Sequence, residues 1–350
     1  MNQALRTRRL ADFAAVGAVL APLGDRRLGQ LVAGADPLGA GIGGRSGELD
    51  VGGRRVFVKR IPLTELELRP SHARSTANLF GLPLFYQYGI GSAGFGAWRE
   101  LATHTLTTRW VLDDADAYQG FPLMYHWRVL PGSAPDGFVD GFGGIDKAVS
   151  HWDGSPAVRR RLEALGASTA ELVLFLEHVP HTLGGWLAER RHGADGEPSP
   201  YPWVVDALTR GADFMSARGL VHFDAHFRNV LTDGRLIYFA DFGLALSSGF
   251  ELAPPEADFH ARHRLYDRFY TTTHLIRHHL FDDERDDARH VRFLRAWTAG
   301  RRPEGVRDDV GALLDRYARS ALVLEEFQGR LLGESRRTVF PADEIERALS

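Results

Sequence analysis

The octet His222-Phe223-Asp224-Ala225-His226-Phe227-Arg228-Asn229 immediately precedes two short apolar runs, and Asp241-Phe242-Gly243 follows the second run. The turn Thr232-Asp233-Gly234 separates Val230-Leu231 from Leu236-Ile237-Tyr238-Phe239-Ala240, so the two runs read as short strands folded back on each other. That hairpin would gather Asp224, Asn229 and Asp241 at one mouth. Asp and Asn ligate hard Mg²⁺ through oxygen, and the second Asp is left over as a base. Phosphoryl transfer needs little else: positioning, neutralisation of developing charge, and one group to accept a proton.

Composition bounds the other possibilities. Hydrophobic residues make up 44% and charged residues 25% of the 350 positions, which is ordinary for a globular protein and unlike a disordered chain. The formal net charge of -3 gives no reason to expect nucleic acid, which favours a basic excess. The run Arg159-Arg160-Arg161 beside Glu163 reads as a solvated helix face. The absence of cysteine excludes disulfides, zinc–thiolate sites and thiol catalysis. Residues 13–23 are apolar after a basic start, but Asp12 and Asp25 bracket them. This reads as an amphipathic first helix and not a secretion signal. No run reaches the roughly 18 apolar residues that span a bilayer, so no membrane partner is expected and the expected location is cytoplasmic.

The first third alternates glycine-rich turns with short apolar runs. Residues 30–35 are expected as a strand and the segment GAGIGGRSG as a loop. Residues 48–51 are expected as a second strand, and Gly52-Gly53 turns it into a third, RRVFVKRI. In that third strand Val56 and Val58 alternate with Phe57 and Lys59, the period of two of a strand. An irregular, aromatic- and glycine-rich stretch spans 62–97, followed by a helix in GAWRELATHTLTTRWVL and a strand in FPLMYHWRVL. A loop rich in Gly and Pro begins at residue 131. A helix at 156–165 and a strand in ELVLFLEHV come next. The rest reads as helical around the hairpin: a helix after Pro202 that stops at Gly219, then helices at 265–281, 289–298, 306–328 and 342–349. Strands first and helices later give an α+β fold of two lobes.

Gly39, Gly41 and Gly44 fit GxGxxG, a turn whose backbone N–H groups can approach phosphates closely. Alone that pattern is weak in a chain with 38 glycines. It gains weight from Lys59, one lysine among the valines of the next strand. Glu100 lies on the first regular helix after Lys59. Glu65 and Glu67 are nearer but precede Pro70.

The octet from His222 to Asn229 resembles the catalytic loop of the protein-kinase-like superfamily, and Asp241-Phe242-Gly243 resembles its magnesium-binding DFG. The resemblance runs from about residue 30 to 281, with interruptions. It implies a bilobal fold, with a β-rich N-lobe over 29–178 after a helical extension at 1–28, and a helical C-lobe over 179–350. It implies ATP and Mg²⁺ as cofactors, with Asp224 as base and Asn229 and Asp241 as metal ligands. Lys59 resembles the lysine that holds the α- and β-phosphates, with Glu100 as its helix partner. Glu177, His178 and Val179 fall where the linker between lobes would meet adenine, and Leu231 would contribute to the floor of that pocket. Asp267 resembles the aspartate that anchors the catalytic loop.

The sequence departs from regulated protein kinases in three places. Phe223 stands where most of them carry the Arg that pairs with a phosphorylated segment. His226 resembles the loop of aminoglycoside phosphotransferases and related small-molecule kinases. The segment after Gly243 is short and contains Ser247 and Ser248, and Ala253-Pro254-Pro255-Glu256 only loosely echoes A-P-E. DFGLA leans toward protein kinases. The insertions 62–97 and 131–170 fit neither group. The expected activity is therefore transfer of the ATP γ-phosphate to a hydroxyl, on a small molecule such as an antibiotic or on Ser or Thr of a peptide. A pseudokinase that binds nucleotide or a partner without transfer is the alternative, and a binding protein outside this superfamily is a third reading. His274, His278 and His279 have partly helical spacing but no companion carboxylate in register for a metal.

Overall fold

The computed structural model describes residues 3–89, 91–190, 199–281 and 286–348. The fold is α+β, and the chain divides into two compact units: residues 1–179 with 241–256, and residues 180–240 with 257–350.

The first unit is built on an antiparallel sheet. Strands β1 (Asp36–Gly41), β2 (Gly44–Asp50), β3 (Arg55–Leu63), β4 (Met124–Pro131) and β5 (Ala170–Glu177) lie in the order β1-β2-β3-β5-β4. The alternation in β3 decides what each face carries. Val56 and Val58 pack with Val173 and Phe175 into one core, closed by Val16 and Leu20 of helix α1 (Gln3–Leu20) and Leu28 and Val32 of α2 (Asp25–Ala33). Ile61 and Leu63 pack with Leu172, Leu174 and Leu176 into a second core on the opposite face. That core is closed by Trp98 and Leu101 of helix α4 (Ala97–Asp113). Lys59 shares its register with Ile61 and Leu63 and is therefore on the α4 side. Helix α3 (Glu65–Leu68) leaves the end of β3 directly, and α5 (Ile145–His151) and α6 (Pro156–Gly166) lie between β4 and β5.

Two expectations fail here. Residues 30–33 belong to helix α2 and not to a strand. Leu28 and Val32, four apart, form its buried face, which the adjacent pair Leu31-Val32 disguises as a strand. The glycine segment is also not a plain loop. Gly39 and Gly41 lie in β1 and Gly44 opens β2, so only Ile42-Gly43 turns the hairpin. Gly44 has φ 118°, and a Cβ there would fall 2.1 Å from the Arg60 carbonyl oxygen; only glycine lets β2 lie so close to β3.

The second unit is helical. It contains the short strands β6 (His181–Thr182), β7 (Leu220–Val221), β8 (Val230–Thr232) and β9 (Ile237–Phe239), with β8 between β6 and β9. Helices α7 (Leu183–Arg190) and α8 (Tyr201–Ala217) precede the hairpin. After α9 (Pro254–Arg262) come α10 (Tyr266–His278), α11 (Asp287–Thr298), α12 (Asp308–Gly333) and α13 (Ala342–Arg347). Among these, α10 packs on α8 and α12, and α11 packs on α12.

Candidate active site

In the first unit Lys59 sits between two carboxylates. Its Nζ donates to Glu100 Oε1 at 2.6 Å and to Asp241 Oδ1 at 2.7 Å. Lys59 is 9% exposed and Glu100 is 3% exposed. Burial alone would push the lysine toward its neutral form. The charges of Asp241 and Glu100 outweigh it and raise its pKa above the usual lysine value. Glu100 moves the other way from an ordinary carboxylate: burial, helped by the charge of Asp241, pushes it up to about 7 against the pull of Lys59. Burying the Lys59–Glu100 pair in this way contributes little net stability, and a group perturbed by burial together with a specific charge partner is a candidate for function. The Asp241 side chain is 43% exposed, so the cluster has one solvent-facing carboxylate.

The residues after Asp241 are held from the same unit. Asp241 itself has φ 60°, a left-handed conformation that a non-glycine residue adopts only under constraint. The Phe242 ring is buried and meets His104 of α4 edge-on, with centroids 5.0 Å apart. Glu100 and His104 lie one turn apart on α4, so this one helix touches both the lysine and the DFG phenylalanine. Further on, Gln87 donates to the Leu244 carbonyl. The Glu251 carboxylate accepts from Ser75 Oγ at 2.6 Å and Thr76 N at 2.8 Å. Arg99 donates to Glu256 Oε1 at 2.8 Å.

In the second unit the loop after β7 is pinned from several sides. Asp267, at the start of α10, accepts the N–H of His222 at 2.6 Å and that of Phe223 at 2.9 Å. Burial pushes the Asp267 carboxyl up to about 7, opposed by these two N–H groups. His222 reaches the Ala240 carbonyl at 2.8 Å through Nε2. Asn229 donates its amide to both the backbone and the side-chain oxygen of Asp224, each at 3.0 Å. His226 Nε2 lies 3.7 Å from Asp224 Oδ1. The result is a carboxylate with a fixed orientation, set by Asn229 on one oxygen.

No family model matches the chain, and no curated protein matches it. It is similar to a solved structure of WaaP in complex with acyl carrier protein. The two are 17% identical over 84% of this chain and 92% of that chain, with a TM-score of 0.39.

The structure brings Lys59, Glu100 and Asp241 together in one unit, and Asp224 and Asn229 together in the other. The remaining expected positions are placed as follows. Gly39, Gly41 and Gly44 form the β1–β2 hairpin. The Glu177 carboxylate is gripped by Arg9, whose Nε and Nη2 lie 2.7 and 2.8 Å away, and its N–H donates to the Leu123 carbonyl. Val179 lies just beyond β5, and half-buried Leu231 lies in β8 opposite Tyr238. Ser247 is buried and Ser248 is exposed. Among the described residues no group of three or more His, Asp, Glu or Cys is set to hold a metal. No helix among them is long and apolar enough to cross a membrane.

Sequence reasoning missed Arg9, Gln87 and Arg99, and its solvated helix face at 159–161 fails at Arg161, which is 1% exposed and turned inward onto a buried acid; that acid is Glu67, passed over in the sequence and itself 1% exposed. A signal for Glu67 was present. Thr64 and Glu67 have the Thr-x-x-Glu spacing of a capping box, and the structure forms that box in full.

Proposed function

We propose that this protein is an ATP- and Mg²⁺-dependent phosphotransferase with a protein-kinase-like fold, which moves the γ-phosphate to an alcohol on a small molecule or a peptide. The observation that carries the reading is Lys59 held between Glu100 and Asp241. A buried ammonium kept charged by two carboxylates, one of them facing solvent, suits a polyphosphate and its metal. In this reading Lys59 holds the α- and β-phosphates and Glu100 fixes the lysine. The β1–β2 glycines, with no side chains, let phosphate come close to the backbone, while Val179 and Leu231 take the adenine.

The donors fit magnesium, which prefers oxygen ligands. Asp241 offers an exposed carboxylate, and Asn229, whose amide nitrogen is bonded to Asp224, offers its amide oxygen. The bound metal would neutralise charge that builds on the phosphate oxygens. Asp224 would orient the acceptor hydroxyl and take its proton as the new O–P bond forms and the bond from the γ-phosphorus to the bridging oxygen breaks, releasing ADP.

Thermal melting with and without Mg-ATP tests the reading. A nucleotide that binds only the folded chain raises the melting temperature by mass action. An unchanged melting temperature at saturating Mg-ATP, together with no heat of binding in calorimetry, would sink it. Transfer to a panel of small-molecule alcohols and Ser/Thr peptides, read by acceptor mass, separates a kinase from a nucleotide-binding protein that transfers nothing.

A further inference from the structure

The roles given so far leave Glu67 without one, although it is the most heavily bonded acid of the first unit outside the lysine cluster. Its carboxylate receives the N–H of Thr64 at 3.0 Å and the Thr64 hydroxyl at 2.7 Å. It also receives a guanidinium N–H of Arg161 at 2.8 Å and the N–H of Ala97 at 2.8 Å. Its own carbonyl accepts from the Trp98 indole at 2.9 Å. These partners come from three places. Thr64 follows the last residue of β3, Ala97 and Trp98 open α4, and Arg161 comes from α6 in the other insertion. Arg161 and the Thr64 groups hold the acid below the usual carboxylate range against the cost of burial, so it serves α4 as an anion. Negative charge at a helix N-terminus is favourable because the first N–H groups have no partner within the helix.

The local backbone is shaped for this contact. Gly96, the residue before α4, has φ 153°, and a Cβ there would fall 3.0 Å from Glu67 Oε1. A side chain at position 96 would be strained at that φ and would press on the carboxylate by a few tenths of an ångström.

We infer that Glu67 is a positioning residue that fixes the start of α4 against the end of β3 and so keeps Glu100 within reach of Lys59. The lever is short: Glu100 lies three residues beyond Ala97, about 4.5 Å along the helix axis at 1.5 Å per residue. On this account insertion 62–97 is a built-in brace. It holds the lysine–glutamate pair closed with no phosphate added to the chain, in keeping with Phe223 in place of the usual arginine. The inference rests on the phosphotransferase reading, because the pair matters to function only if Lys59 meets a nucleotide.

A double-mutant cycle on Mg-ATP affinity tests it, with each protein assayed well below its own melting temperature. Glu67→Gln replaces an acceptor-only group with one that presents N–H to Thr64 or Arg161. It should raise the Kd for Mg-ATP about tenfold, within the range typical of coupling between sites. Lys59→Met should also weaken binding, and the Glu67→Gln/Lys59→Met double variant should be no weaker than Lys59→Met alone. That non-additivity separates a brace acting through Lys59 from general destabilisation, for which distant losses add. Thr64→Val, which removes only the hydroxyl, should show a smaller loss with the same non-additivity, and it decides the matter if Glu67→Gln does not fold. Unchanged affinity, or losses that add to that of Lys59→Met, overturns the inference alone. A wild-type protein with no affinity for Mg-ATP overturns the phosphotransferase reading as well.

Discussion

Phe223 adopts φ 66°, and Asp267 captures its N–H at 2.9 Å. A bulky residue in the left-handed region costs on the order of 1–3 kcal/mol and persists only where its surroundings impose it. Asp267 supplies that constraint and takes the neighbouring His222 N–H as well. Asp267→Ala removes the carboxylate that accepts both N–H groups, at about 1–3 kcal/mol each. Urea unfolding should record a loss of that size. Asp267→Asn keeps one acceptor oxygen and should recover part of it. A near-zero loss in the alanine variant would show that the loop is held by other means.

Asp224 is expected to act in transfer and scarcely in nucleotide binding. General-base contributions are typically about 10²–10⁴-fold, so Asp224→Ala should lower kcat by that factor with the correct acceptor. Its affinity for ATP should change little. Near-normal transfer without Asp224 would require another base.

Asp241 and Asp224 should separate cleanly in a metal titration. Asp241→Asn removes a proposed Mg²⁺ ligand and a charge partner of Lys59, whereas Asp224→Asn alters the proposed base and one of the two bonds from the Asn229 amide, whose other bond, to the Asp224 carbonyl, stays. Calorimetry at fixed Mg²⁺ should show the larger loss of Mg-ATP affinity for Asp241→Asn. Equal losses would contradict the division of roles.

His263 predicts an acid sensitivity. Its ring stacks on Phe259 with centroids 3.9 Å apart and on Phe340 at 4.5 Å. Burial, with Arg262 and His260 nearby, pushes it down to about 3. The unfolded chain binds a proton at this histidine near pH 6.5 and the folded chain does not. Its contribution is therefore fully present above about pH 6.5 and is lost as pH falls toward 3, by about 1.4 kcal/mol per pH unit within that window. The stability difference between the wild type and His263→Phe should shrink with this slope between pH 6.5 and 4 in urea titrations. A constant difference would mean that the ring takes up its proton in the fold at the same pH as in the unfolded chain.

The residues that meet in the two side-chain clusters stand out in the sequence through local patterns. The alternation of Val56 and Val58 with Lys59 identifies both a strand and a face. The octet and the DFG tripeptide flank a hairpin whose turn is spelled by Thr232-Asp233-Gly234. What surrounds them was not legible, because it depends on partners distant in sequence. Arg9 and Glu177 are 168 residues apart, and Glu67 and Arg161 are 94 apart; no spacing rule connects them. Helix α2 was misread for a different reason. Residues 30–35 offer too few positions to tell a period of two from 3.6, and tertiary burial of Leu28 and Val32 decides for the helix.

The bond from the Ala97 N–H to Glu67 also has a kinetic signature. The first amides of a helix ordinarily face water and exchange their hydrogens as freely as those of a loop. Ala97 is 1% exposed and its N–H ends on a buried carboxylate. In deuterium its amide should exchange at the slow pace of the helix interior, and Glu67→Gln should quicken it. The leading edge of α4 then behaves as part of the middle of the molecule, and the helix has one fraying end instead of two.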